Sequence, residues 1–367
     1  MKRTLIFFTL ILFFSHLGFS QNLEQKAKIG NVQSMFDLAK EYYSGVGRFQ
    51  NKANALIWFE KAANKNHIES MYHTAQMYEK GESTKVDLRK AFNYYLLAAE
   101  RGHFSSQLVV AKKLEKGEGV KKSDSRAYLW YRVCAEREET LACRKMGDYF
   151  KEGKIVSKDH SQAKFWYEKA AQKNDIEAKS SLAYLYIVNE GLAPNVDKAK
   201  TLNKEPLLKQ IPLSFFVEGM INMSESGDEN DKRAFQNLSK AKQMGIKQAD
   251  YHIAMLNYEG KGTQKNILQA FKIMETLPSE YDSELGLLMA NAYKNGEGVK
   301  IDTIKAIENY KKAAKADNPE ACRSLSQIYK TGWGVKKNLK EAGFWQQKAF
   351  SIENPKSIDK SKSTKRK

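Results

Sequence analysis

The sequence predicts an all-α fold, a solenoid of about nine helix-turn-helix repeats of 36 residues each, on three observations. Similar residues return at a fixed step: units start at Ser34, Ser70, Ser106, Ala142, Ala178 and Ser214, lose one residue, and continue at Ala249, Leu285 and Ala321. Glycines recur near the middle of most units, and one alanine column is never broken. A period of this length marks supersecondary units that stack on one another. Composition agrees, because helix formers dominate, only 6 prolines occur in 367 residues, and 42% hydrophobic content suffices for a core.

The first element is a separate segment. Lys2 and Arg3 precede an apolar run from Leu5 to Phe14, and Gly18-Phe19-Ser20 supplies small residues before Gln21. This order predicts a cleavable secretory signal over residues 1–20. The alternative is an uncleaved anchor, for which the run is short. No Cys stands near the cleavage point, so lipid attachment is not expected, and no later stretch reaches a transmembrane length. The mature chain is therefore expected to be periplasmic or secreted, without membrane insertion after signal cleavage. Residues 21–33 form an N-terminal capping segment ahead of a repeat array over 34–350.

Each repeat reads as helix A, a glycine turn, helix B and a short return. Eleven residues into the units stand Gly45, Gly81, Gly117, Gly153, Asn189, Glu225, Gly260, Gly296 and Gly332, where a left-handed residue closes helix A. Seventeen residues in stand Asn51, Asp87, Ser123, Asp159, Asn195, Asn230, Asn266, Asp302 and Asn338, all suited to cap helix B. Four later come Ala55, Ala91, Ala127, Ala163, Ala199, Ala234, Ala270, Ala306 and Ala342, which let two helices approach closely. The spacings Asn66–Glu69, Asn174–Glu177 and Asp317–Glu320 suggest capping boxes at the returns. One such hairpin cannot bury its apolar stripe alone, so neighbours must stack.

The segments GRFQNKANALIWFEKAA (47–63) and GEGVKKSDSRAYLWYRVCA (117–135) resemble the Sel-one-like repeat, a relative of the tetratricopeptide repeat. The resemblance runs from Gln33 to Phe350 and is strong in units one to four, eight and nine. It implies a right-handed α/α superhelix whose A helices line a concave groove. Unit five departs, with Pro206 and Pro212 placed where helix B should run, which predicts a shortened or kinked helix. Unit six lacks its first glycine, so the middle of the array is expected to bend or form a weak joint.

Cys134 and Cys143 are a disulfide candidate, spaced to staple one helix B to the next helix A if their Cα atoms lie within reach. The spacing resembles that of the family's cysteine-rich, β-lactamase-like branch. The other reading is two small core residues without a bond. Cys322 has no partner and is expected to be a free thiol.

No catalytic motif appears: there is no Gly-x-Ser-x-Gly, no His-Glu-x-x-His, and the glycine turns end helices instead of opening them at a strand. His67, His73 and His103 read as polar turn residues, so no metal and no cofactor are expected. Trp58, Trp130, Trp166 and Trp345 share one column and read as packing residues.

The groove is the remaining candidate. Six residues into the units stand Lys40, Gln76, Lys112, Asp148, Tyr184, Met220, Met255, Asn291 and Gln327. Lys40 and Lys112 mark its polar end, while Tyr184, Met220 and Met255, joined by Phe216 and Met223, form an apolar strip in the irregular middle. That strip is either an adaptable protein-binding site or a place where degenerate units pack differently. Formal net charge is +18, and residues 351–367 form a Lys-rich tail expected to be disordered. An exported chain rarely meets nucleic acid, so the charge reads first as a solvated, solubility-giving surface, and otherwise as favouring anionic envelope polymers, reached through the Lys-rich tail, lipid headgroups or acidic proteins. By resemblance the expected function is an exported scaffold or adaptor of the bacterial envelope that binds a partner protein or peptide, and not an enzyme. The alternatives are a β-lactamase-like hydrolase or penicillin binder, or a binder of anionic envelope glycans.

Overall fold

The computed structural model describes residues 22–188, 194–204, 208, 210–225 and 227–354. The expected signal (1–20), the tail beyond 354, and Asn189 and Pro206 fall outside the described residues. Every regular element among the described residues is helical, and none of these helices is long and apolar enough to cross a membrane.

The chain divides into two compact units. The first holds a helix over 22–28 (α1), then α2 (Val32–Ser44), α3 (Lys52–Ala63), α4 (Ile68–Lys80), α5 (Leu88–Glu100) and α6 (Phe104–Lys116). It continues with α7 (Asp124–Glu136), α8 (Thr140–Glu152), α9 (His160–Gln172) and α10 (Ile176–Ile187), whose last residues belong to the second unit. The second unit holds α11 (Val196–Asn203), α12 (Pro212–Glu225), α13 (Asp228–Gln243), α14 (Ala249–Glu259) and α15 (Ile267–Met274). It ends with α16 (Asp282–Asn295), α17 (Thr303–Lys315), α18 (Pro319–Thr331) and α19 (Leu339–Glu353). Even-numbered helices are the A helices and odd-numbered ones, from α3, the B helices. From α2 to α9 each helix packs on the next, and so do α11 to α15 and α16 to α19.

Local signals set the boundaries. Asn51 opens α3 by accepting the Asn54 amide at 3.0 Å, and Gly45 closes α2 at φ 77°, its N–H meeting the Glu41 carbonyl at 2.9 Å. The alanine column lies wholly inside: Ala55 to Ala306 are 0% exposed and Ala342 is 6%. A larger side chain there would force the paired helices apart.

Four expectations need correction. The returns are capped one residue later than their spacing suggested: His67, Asp175 and Asn318 accept the amides of Ser70, Ala178 and Ala321. Asn66, Asn174 and Asp317 instead adopt φ near 60° to end helix B, a conformation that Asn and Asp tolerate better than most residues. In unit six Asn230 is not a cap, because α13 starts early behind Gly227 and encloses it. In unit five helix B is short, eight residues, but Pro212 does not interrupt it; it is the first residue of the following α12, where a missing N–H costs nothing. The last helix also runs to Glu353, into the stretch assigned to the tail.

Candidate functional site

The A helices carry the residues expected to bind. Lys40 is exposed, with its ammonium 5.4 Å from the Phe36 ring, and Lys112 is half-buried. Tyr184 is half-buried in the first unit, with Lys151 5.8 Å from its ring centroid. Met220 and Met223 on α12 and Met255 on α14 are half-buried in the second unit. Phe216 does not line an open surface. It is 2% exposed, and its ring meets His252 of α14 at 5.6 Å, so it packs one A helix against the next.

The column six residues in is partly consumed by a polar ladder that spacing alone did not reveal. Buried tyrosines on the B helices point hydroxyls at the A helix of their own repeat. Tyr95 donates to Glu79, Tyr131 to Glu115 and Tyr167 to Asp148, each at 2.7 Å, and Tyr310 to Asn291 at 2.6 Å. Lysines of the following repeat close two rungs: Lys113 reaches Glu79 at 2.5 Å and Lys145 reaches Glu115 at 2.7 Å. Burial works against ionisation of Glu79 and Glu115, but hydrogen bonds from the lysine and the tyrosine outweigh it and hold both below the ordinary carboxylate value. Asp148 has no such lysine contact, and its burial pushes it up. Glu115, Lys145 and Asp148 line a depression of about 220 Å³. Glu115 and Lys145 are paired with each other across a repeat boundary and Asp148 accepts the Tyr167 hydroxyl, so the polar groups of this basin join helices and repeats.

A more open surface lies at the start of the array. Phe36 and Tyr72, each two residues into its repeat, are half-buried neighbours of a row of imidazoles: Phe36 stands 4.6 Å from His67, and Tyr72 4.6 Å from His103. Both imidazoles cap helices, their Nδ1 accepting the Ser70 and Ser106 amides at 3.2 Å. Those bonds require a neutral ring with its proton on Nε2, and they occupy a lone pair that a metal would need. Burial lowers the affinity of His67 for a second proton. Beside them His67, Glu69, Arg101, His103 and Phe104 line a depression of about 530 Å³. The column two residues in, with Phe36, Tyr72, Leu108, Phe216, Tyr251 and Leu287, shows an apolar bias in the sequence, and of these only Phe216 is among the expected binding residues.

The disulfide expected between Cys134 and Cys143 is overturned, since both are free and buried, while Cys322 is the free thiol expected of it. The Cys143 thiol faces the Ala135 carbonyl at 3.8 Å instead of a second sulfur, a place where a small apolar group fits. Burial pushes Cys134 up to about 11 and raises Cys143 as well. None of the three should react with a chromogenic disulfide at pH 8 in the native state, and all three should react after denaturation without reductant. A titration of one thiol would show a bond in its place.

His252 makes the second unit acid-sensitive. Burial lowers it to about 4 from 6.5, so the ring is neutral in the folded chain. As pH falls below about 6.5 the unfolded chain takes the proton first, and stability is lost progressively until the folded pKa is passed. The loss is at most about 3 kcal/mol. His252→Phe should flatten that part of a urea-midpoint profile between pH 7 and 4; an unchanged slope would contradict the assignment.

A Sel1 repeat is recognised at residues 32–67, 68–103, 105–137, 140–175, 247–276, 284–318 and 319–351. The chain belongs to the Sel1 repeat family. The unmatched stretch between 175 and 247 holds the two units whose proline and turn residues depart from the pattern. Among solved structures, a protective antigen with an SLR fold from uropathogenic Escherichia coli strains aligns at a TM-score of 0.55. It is 24% identical, over 92% of this chain and 82% of that one. A Sel1 repeat protein from Oxalobacter formigenes aligns at 0.43 with 20% identity, over 96% and 92%. No curated protein matches significantly. The Sel1 repeat fold is generally a non-catalytic scaffold, and proteins of the family generally bind protein partners.

Proposed function

We propose that this Sel1 repeat chain is an exported adaptor that holds a partner protein or peptide on the open face of its A helices. Phe36 and Tyr72, set between Lys40 and the depression lined by Arg101 and His103, carry the reading: half-exposed aromatic rings with an Arg nearby are the composition of a binding hot spot. In the second unit Met220, Met223 and Met255 offer a further adaptable contact, and Tyr184 one in the first. Export rests on the basic-apolar-small order of residues 1–20 and places the partner in the bacterial envelope or outside the cell.

Crosslinking and pull-down from the native envelope tests this. Phe36→Ser with Tyr72→Ser should lose the main partner while helix content by circular dichroism is unchanged. Tyr184, Met220 and Met255 changed together to Ser should weaken recovery less. Unchanged recovery with the first pair would remove the proposal.

A further inference from the structure

The turns between A and B helices in repeats seven, eight and nine form one continuous strip inside the second unit. A Cβ placed on Gly298 would lie 2.2 Å from Ile267 at the start of α15, and one on Gly334 would lie 2.2 Å from Thr303 at the start of α17. Each turn therefore rests on the beginning of the previous B helix.

Four aliphatic side chains stand out of this strip: Leu268 is 61% exposed, Ile301 66%, Ile304 68% and Leu339 64%. The core does not need them, because Ile267 and Ile307, at 6% and 5%, already fill the inward positions. Between them Lys300, Lys336, Lys337 and Lys340 are exposed and make no ion pair among the described residues. Of the nearby acids, Asp302 caps α17 through the Lys305 amide at 3.0 Å, Glu297 accepts from Asn295 at 2.9 Å, and none of them, Glu341 included, ion-pairs with these lysines among the described residues.

We propose that this strip docks the chain peripherally on an anionic lipid surface. Uncompensated lysines match headgroup phosphates, and isolated aliphatic tips match the acyl boundary just beneath them. A soluble polyanion would use the lysines and leave the tips without a role. A protein partner would want a contiguous patch, and protein interfaces are depleted in Lys. The contact is superficial and uses none of the residues assigned to partner binding.

The test is co-sedimentation of the full chain with vesicles of mixed phosphatidylglycerol and phosphatidylcholine, against vesicles of phosphatidylcholine alone. Binding should require phosphatidylglycerol and weaken with salt. Lys336→Gln with Lys337→Gln should lower partition about 25-fold, roughly fivefold for each lysine. Ile301→Ser, Ile304→Ser and Leu339→Ser together leave the charge unchanged and should lower it about tenfold or more. All these positions are exposed, and residues 1–20 and 355–367 are common to every variant, so differences report the strip. Undiminished vesicle binding of the triple variant, or equal binding to phosphatidylcholine, would each overturn the proposal.

Discussion

Gly119→Ala lowers the stability of the first compact unit by about 3 kcal/mol or more, while Gly102→Ala in the same unit costs about 1 kcal/mol. Both glycines have positive φ, 73° and 88°, so any L side chain is strained at either place. They differ in surroundings. A Cβ on Gly119 would lie 2.1 Å from the Leu88 carbonyl oxygen and 2.5 Å from its carbon, whereas nothing lies within 4 Å of one on Gly102. Backbone cannot swing aside as a side chain does, so the turn of repeat three must lift off α5. Thermal unfolding is the check, with a drop of roughly 6–12 °C expected for Gly119→Ala at about 2–4 °C per kcal/mol. Equal shifts for both variants would show that the close approach contributes nothing.

Glu79→Ala costs about 3 kcal/mol, because it strands two buried partners at once. Lys113 is 3% exposed and would keep Glu118, 3.7 Å away, as its one carboxylate among the described residues, while the Tyr95 hydroxyl would lose its acceptor inside the core. Lys113→Met should cost less than half as much, since it removes the buried charge together with its desolvation. The double variant Glu79→Ala with Lys113→Met should then be more stable than Glu79→Ala alone. Urea midpoints of the four proteins give the coupling energy; simple additivity would mean the rung does not join repeats three and two.

Much of this fold was legible because the deciding signals are local and repeated. A helix end needs a residue that tolerates positive φ, a helix start needs an acceptor, and a close helix pair needs Ala; each demand acts on one residue and recurs every repeat. The errors share a cause. Asn66 suits a cap and a left-handed turn equally, so spacing could not say that His67 takes the capping role one residue later. Asn230 looked like a cap in its column, but Gly227 starts the helix earlier. The ladder from Tyr95 through Glu79 to Lys113 was out of reach, because each residue is ordinary by itself and only stacking brings the three together. Phe216 was misjudged for the reverse reason: in the column of a binding face, it is buried by the neighbouring A helix through His252. Surface function was therefore the less legible part, since it depends on which side chains the neighbouring repeat leaves uncovered.

The central claim is that each hairpin serves as the wall for the next, so that one repeat can stand in for another. Removing residues 106–141, which takes out α6, α7 and the return to α8, tests it most directly. The chain should keep its helix content per residue and unfold cooperatively, with Ala142 taking the place of Ser106 against α5. Removing only residues 106–123, half a repeat, should unfold the first compact unit. Loss of structure in the whole-repeat deletion, or tolerance of the half-repeat deletion, would contradict the account.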